Sequence, residues 1–510
     1  MSRFLSKIFS NSFLLILVTL LIKIPMLLTK YIQEDSFITW RVARNFVNYR
    51  VIGFNGDERI SASTTHLYML VSAFFQLIFG ESFIYPVLIF SSVLFAIGSI
   101  WLGKILFPYD VLKRGFFVVF LNMVPPALTA STLGMEYGIL FFLYSGLIYF
   151  GISRGKKWAY FVFPFLLLWT RIDTVIFLGV FFLADVIIRK KINIIFILAG
   201  IVGLVSVVGF NYLYFGELVN HTITAKKIAY KNLIQNNSVE FFLYQWAYYG
   251  GLVKKYGLFT FLLFLSFLVF LGFCVFRLIQ EKTRVSFETK IILISIFAFA
   301  LLKITVFAYF RAYFDWYYWI PRVFLFVVVL YYFLNFIKLK KNILVPCIFV
   351  LFLGLYLFQI LQSYTIGYME ERQRMQISAD IIKDKVGIDQ SILLEPAGII
   401  PFFTNLYTYD DVGLVNKRIN DQMLKDEEYW WINSVKDFQP DYILTISKKP
   451  GDENSYYKMK PNDQKNFDVD YELVKSYPIA VIHDNAPEIL RRIYQIRPIG
   501  KDYFLYKKRQ

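Results

Sequence analysis

Charge is scarce in this chain, and what there is leans one way. Only 18% of the 510 residues are Asp, Glu, Lys or Arg, against 57% hydrophobic. A water-soluble domain carries more charge and less apolar surface than that, so the composition is that of a membrane protein. Cysteine is nearly absent. Cys274 and Cys347 both lie in apolar runs and read as buried free thiols, so no disulfide framework reports a compartment. No Walker A loop, zinc-ligand spacing or glycine-rich dinucleotide turn occurs, and there is no internal repeat or low-complexity tract. The net charge of +17 could signal nucleic acid. Most of it falls instead in short clusters between apolar runs and in the tail, as in cytoplasmic loops, so nucleic acid is not expected as a partner.

What the chain has in plenty is long apolar runs. About 20 such residues cross a bilayer core. Eleven runs qualify, at about 11–29, 83–106, 115–132, 136–153, 158–171, 173–188, 193–215, 257–277, 290–309, 321–337 and 343–363. The first is longer than a signal-peptide core and no small-residue cleavage site follows, so it reads as a retained signal anchor. Segment 67–80 is apolar but has only 14 residues. Charge decides its fate. With Arg3 and Lys7 inside and 67–80 not spanning, every inner loop is basic: Lys113/Arg114, Arg154/Lys156/Lys157, Arg189/Lys190/Lys191, Arg277/Lys282/Arg284/Lys290 and Lys338/Lys340/Lys341. If 67–80 spans, the later loops invert and the rule fails. Residues 30–82 therefore form one long outer loop with surface helices at about 36–49 and 65–80. The other outer segments are 132–136, 172, 216–256 and 310–321, and the tail from 364 is outside too.

The tail changes character. It is charged and alternates helix and strand signals: helix at 370–386, short strands at Ser391–Leu394 and Tyr442–Thr445, helix at Glu427–Lys436 between them, and a polar loop at Lys448–Asn466. The expected fold class is an α-helical polytopic membrane protein of about 11 transmembrane helices, residues 1–363, followed by an extracytoplasmic α/β domain, residues 364–510. Its place is the cell inner (plasma) membrane, with the N-terminus cytoplasmic.

The first outer loop opens on Glu34-Asp35, followed by Trp40-Arg41-Val42-Ala43-Arg44-Asn45, a glycine turn, Phe54-Asn55-Gly56, and Ser63-Thr64-Thr65 before the short helix. This pattern resembles the first loop of the GT-C glycosyltransferases, and is closest to the mycobacterial terminal arabinofuranosyltransferase group. Further echoes follow in the family's order at Leu133-Gly134-Met135-Glu136, Arg171-Ile172-Asp173, Tyr214-Phe215-Gly216-Glu217, Trp316-Tyr317-Tyr318, Glu395-Pro396-Ala397-Gly398 and Asp411-Val412-Gly413-Leu414. Val42 stands where the family has an aromatic, and Ile60-Ser61-Ala62-Ser63 replaces its Val-Glu-Gly-Thr. Those departures bear on the sugar rather than on the reaction class. The resemblance implies a polyprenyl-phosphate sugar donor, a glycan or glycolipid acceptor on the outer face, and contact with membrane lipid. No cofactor is certain from it, and a divalent cation is left open.

Glycosyl transfer needs a base for the acceptor hydroxyl and positive charge near the departing phosphate. The resemblance makes Asp35 the candidate base; the alternative is an N-cap for a helix starting at Ser36. Glu34 is to orient Asp35 or hold a metal, or else it is a solvated carboxylate. Arg41 and Arg44, three apart, share a helical face and could grip a lipid phosphate or snorkel to anionic lipid. Glu136 lies at an outer boundary, where a carboxylate tends to be functional. Arg171 and Asp173 contact substrate or pair with each other. His66, His221 and Lys226 are further candidates for phosphate or hydroxyl contact, each with a structural alternative. Trp316 and Tyr317 stack on sugar or anchor the interface as an aromatic belt. Arg322 faces a phosphate. Asp411, after a strand-like segment, binds ligand or makes a turn.

A transporter or flippase of a lipid-linked glycan is the other class to weigh. Transporters place ionisable groups near the midplane and carry repeats. Here the candidates cluster at the outer rim, with Lys303 the main exception. A membrane assembly factor, the third class, would not depend on Asp35.

Overall fold

The computed structural model describes residues 2–231, 239, 242, 246, 258–280, 285–312, 314–336, 344–385, 387, 389–452, 455–496 and 499–509. The later part of the expected outer segment 216–256, and the basic residues Lys282, Arg284, Lys338, Lys340 and Lys341, lie outside the described residues.

Each of the eleven apolar runs coincides with helix. Among the described residues, five helices are long and apolar enough to cross a membrane: Ile84–Leu106, Ile194–Phe215, Phe287–Tyr309, Asp315–Asn335 and Phe349–Asp384. A sixth is reached if Val111–Met123 and Pro125–Thr132, bent by 71° at their junction, form one span. Pro125 opens the second of these helices without an N–H to give, and Val124 before it is extended, as a residue preceding proline prefers. The expected count of about 11 spans is thus met only in part. Helix Lys157–Thr170 has 14 residues and Val175–Arg189 has 15. At about 1.5 Å per residue these stop short of a ~30 Å hydrocarbon core.

By packing, the chain forms two units. The first joins Met1–Leu28, Ile84–Val207 and Asn232–Gln359. It is a set of apolar helices that approach closely through small residues. A Cβ on Gly138 would lie 2.1 Å from Ser91 Oγ and 2.6 Å from Ser91 O, so glycine is what lets helices Tyr137–Gly146 and Ile84–Leu106 meet.

The second unit joins Thr29–Phe83, Val208–Lys231 and Ile360–Gln510. The two expected surface helices are present as Glu34–Tyr49 and His66–Phe79. The tail builds a five-stranded sheet of β1 (Ser391–Leu394), β2 (Tyr407–Asp410), β3 (Tyr442–Thr445), β4 (Tyr471–Tyr477) and β5 (Tyr503–Lys508), in the order β2-β1-β3-β5-β4. β2, β1 and β3 are parallel; β5 pairs antiparallel with β3 and β4. Alternate residues face opposite layers. Leu393, Tyr409 and Ile443 pack with Trp431, Ile432 and Val435 on one side. Ile392, Leu394 and Leu444 pack with Ile377, Ile381 and Ile400 on the other. β1 and β3 are the two expected strands. The expected loop Lys448–Asn466 is corrected at its end, where Pro461 opens helix Pro461–Asp470. β2 is an edge strand, and the Asn55 amide closes that edge: it accepts from Thr408 N at 3.0 Å and donates to Thr408 O at 3.1 Å.

Candidate functional site

The first-loop segment is pinned before its helix begins. Ile32 N–H donates to Glu371 Oε1 at 2.8 Å. Glu34 then opens the helix, and its carboxylate is fully engaged. Oε1 accepts from Gly398 N at 2.9 Å and Ile399 N at 2.8 Å. Oε2 takes Arg374 Nη1 at 3.2 Å, and Arg374 reaches on to Glu370 at 3.5 Å. Two backbone amides and a guanidinium are what a carboxylate in a buried setting needs. The metal role expected for Glu34 is therefore replaced by a structural one: it fixes the turn on which Asp35 stands. Asp35 is half-buried. The helix starts at Glu34 with Gln33 as its N-cap residue, so the N-cap alternative for Asp35 does not hold.

Arg41 requires a correction. It is 3% exposed, and its donors are spent on the protein itself. Nε donates to Phe54 O at 2.9 Å, Nη1 to Pro401 O at 2.7 Å and Thr408 Oγ1 at 3.4 Å, and Nη2 to Leu406 O at 2.7 Å. Burial, with Arg44 adding to it, lowers its pKa to about 9, which leaves it charged at neutral pH. It clamps carbonyls and does not present itself to a headgroup. Arg44 differs. Nη1 holds Phe402 O at 2.8 Å, while Nη2 meets Glu81 at 2.7 Å, and the Glu81 side chain is 80% exposed.

His66 is buried and neutral. Its Nε2 pairs with Asn211 Oδ1 at 2.8 Å, and Asn211 Nδ2 passes the chain to Asn220 Oδ1 at 2.8 Å. Burial pulls its pKa down to about 4. His221 is buried too, with Nε2 on Gly413 O at 2.9 Å and Nδ1 facing Glu217 at 3.3 Å. Both histidines tie segments together. Lys226 lies half-buried on helix His221–Ala229. Asp410 accepts from Leu414 N at 2.8 Å and Val415 N at 2.9 Å, and burial raises its pKa to about 6. Asp411 is 1% exposed.

The remaining candidates belong to the first unit. Arg171 donates to Glu136 at 2.6 Å and, through Nε and Nη2, to both oxygens of Asp173 at 3.0 and 3.3 Å. Lys303 completes the group at 3.1 Å from Asp173. Two acids and two bases balance. Glu136, Arg171 and Asp173 all stand at helix ends, and Lys303 lies two turns from the end of Phe287–Tyr309. Tyr317 places its ring 5.4 Å from the Arg171 guanidinium. Trp316 stacks on Phe314 at 4.5 Å. Arg322, expected to face a phosphate, pairs with Asp315 at 2.8 Å.

Each unit therefore gathers its own set: Glu34, Asp35, Arg41 and Arg44 in one, Glu136, Arg171, Asp173 and Tyr317 in the other. Arg374, Glu371 and Asn55 are positioning residues that sequence reasoning missed. The run Glu370-Glu371-Arg372-Gln373-Arg374, five polar residues opening an otherwise amphipathic helix, was the available signal. Among the described residues, no group of three or more His, Cys, Asp or Glu is arranged to hold a metal ion.

Fold and site together define a helical protein with spans long and apolar enough for a membrane and a C-terminal α/β domain with a mixed sheet. Residues 363–505 match the model of a domain of unknown function (DUF8728). No curated protein matches the chain.

Proposed function

We propose that this protein is a membrane glycosyltransferase that moves a sugar from a polyprenyl-phosphate donor to a glycan or glycolipid acceptor on the outer face of the membrane. In this reading all eleven apolar helices belong to the membrane part, the N-terminus is cytoplasmic and residues 364–510 lie outside. The observation that carries it is the division of labour in the acidic doublet. Glu34 is locked by Gly398, Ile399 and Arg374, so the half-buried Asp35 one residue on is held on a rigid turn. That suits a general base. Asp35 would take the proton of the acceptor hydroxyl as its oxygen attacks the anomeric carbon. The bond from that carbon to the phosphate oxygen breaks, and polyprenyl phosphate leaves with the electron pair. Arg44 is the better candidate for the phosphate, because its partner Glu81 sits in water and is readily exchanged.

The transport reading rested on Lys303. That lysine is accounted for by its pairing with Asp173 near helix ends, which leaves transport without a specific observation.

The test uses purified protein and a radiolabelled polyprenyl-phosphate sugar. Asp35→Asn should bind donor yet lose transfer by about 10²–10⁴-fold. Equal transfer by the variant ends the proposal. A tag at the C-terminus that is reached only from the cytosol would overturn the topology.

A further inference from the structure

Helix His66–Phe79 is built inside out. Its polar side chains, His66, Tyr68, Ser72 and Gln76, are all buried. Its exposed side chains are all apolar: Leu70, Phe74, Leu77, Ile78 and Phe79 are between 40% and 63% exposed. Leu70, Phe74, Leu77 and Ile78 fall on one helical stripe. A helix at a water surface turns its polar residues outward, and a contiguous exposed apolar face needs something to cover it. The partner helix Glu34–Tyr49 differs. Its side chains from Ser36 to Ala43 are buried, and its exposed end is Asn48-Tyr49.

The inward polar groups lock this orientation. His66 Nε2 pairs with Asn211 Oδ1 at 2.8 Å, and Gln76 Nε2 donates to Trp40 O at 2.9 Å. Turning the helix over would strand both. What covers the outward face follows from the chain at either end. The His66 ring lies 5.3 Å from Phe210 and 6.1 Å from Phe215. Those two rings stand in the last turns of Ile194–Phe215, which is long and apolar enough to cross a membrane. At the other end Gly80, Glu81 and Ser82 are exposed, and Ile84 then opens the next such helix, Ile84–Leu106. The short helix therefore runs from the end of one span to the start of another, on one face of the membrane. Its 14 residues cover about 21 Å, too little to cross a ~30 Å core.

We infer that His66–Phe79 lies in the plane of the membrane, with Leu70, Phe74, Leu77 and Ile78 among the acyl chains of the phospholipid leaflet it faces. Of the two helices expected at the surface, this one is immersed in lipid and Glu34–Tyr49 is enclosed by protein. The immersed helix anchors the enclosed one through the Gln76–Trp40 bond, and the Arg44–Glu81 pair just past its end marks the headgroup level. The anchor does not depend on transfer by Asp35, and its test reads no activity.

Full-length protein carrying Cys274→Ser and Cys347→Ser would receive Leu70→Cys, Phe74→Cys, Leu77→Cys or Ile78→Cys, one at a time, for spin labelling. Nanodiscs of phosphatidylethanolamine and phosphatidylglycerol leave both membrane faces open to solutes. Collisions with oxygen, which concentrates in hydrocarbon, and with a nickel chelate, which stays in water, read the surroundings of each label. All four labels should meet oxygen and exclude the chelate, at depths of roughly 5–10 Å below the phosphates. A label from Asp57→Cys, on the exposed tip of the first loop, should show the reverse. Chelate contact at the four positions equal to that at Asp57 would put the helix in water and overturn the inference. Exclusion of both solutes would mean that protein, such as a second copy of the chain, covers the face, and would overturn it too. Should the cysteine-free background not fold, benzoylphenylalanine in place of Phe74, in the otherwise unaltered chain, should capture a phospholipid on irradiation. Intact mass reads the capture, and a mass without the added lipid overturns the inference.

Discussion

The two charged clusters of this protein solve the same problem with different partners. In the first unit, Arg171 and Lys303 answer Glu136 and Asp173, side chain to side chain. In the second, Arg41 answers three carbonyls and a hydroxyl, and Glu34 answers two amides and one guanidinium. A charge beside loops and the short helix Ile399–Thr404 finds backbone ends that need it. The two arrangements should fail differently.

The ion cluster should break hardest. Arg171→Met strands the buried Glu136 carboxylate, while Asp173 keeps Lys303, and should cost about 3–5 kcal/mol. Thermal unfolding in detergent would show it as a large fall in midpoint. Adding Glu136→Gln should recover much of the loss, because the stranded charge goes too and the Asp173–Lys303 pair is left intact. A double variant no better than the single would mean that packing, not charge balance, holds this region.

Next comes pH, which acts on the second unit. His66 has a folded pKa of about 4 against about 6.5 unfolded. As pH falls, the unfolded chain takes the proton first, so the His66 contribution is whole above pH 6.5 and is lost between 6.5 and 4. The full amount is about 3 kcal/mol. Asp410 runs the other way. Its folded pKa is raised to about 6, so it destabilises as pH climbs from 3.8 to 6. The two oppose each other across pH 4–6. The difference in midpoint between His66→Gln and wild type should therefore shift steadily through that window and flatten above it. A constant difference would mean that His66 is not held neutral.

Arg41→Lys should cost about 2 kcal/mol, since an ammonium cannot serve four acceptors laid out for a planar fork. The same change that keeps a charge in place would be nearly silent if a headgroup were its partner in the folded protein. Chemical denaturation of the variant decides between these.

Much of the helical layout was legible because hydropathy is a local property. The eleven apolar runs coincide with helices, and the surface helices at 36–49 and 65–80 appear within two residues at either end. The short, largely apolar strands β1 and β3 were readable too. β2, Tyr407–Asp410, showed only as a strand-like segment before Asp411, because its four residues carry little apolar signal and its edge is completed by Asn55, 353 positions away. β5, Tyr503–Lys508, shows a readable aromatic pattern but ends in two lysines that pull it toward loop. The site divides the same way. The sequence shows that Glu34, Asp35, Arg41 and Arg44 stand together, since they share one helix. It cannot show that Arg41 faces the carbonyls of Pro401 and Leu406, because that depends on how the tail folds back. Charged residues are easy to find in a sequence; whether their partners are backbone, side chain or ligand is set by tertiary structure.

The smallest effect sharpens the comparison most. Glu81→Ala removes the exposed partner of Arg44, and a surface pair of this kind is worth less than about 1 kcal/mol, so the midpoint should hardly move. Arg44 would keep its bond to Phe402 O and its place over the Phe402 ring. What changes is its freedom to meet another anion. If Arg44 holds the donor phosphate, the variant should bind polyprenyl phosphate more tightly than wild type, with a steeper salt dependence, because competition from a carboxylate is gone. Arg41 offers no such exchange, its acceptors being part of the fold. Unchanged binding in Glu81→Ala would put both arginines in the structural class and move the search for the phosphate partner to Lys226.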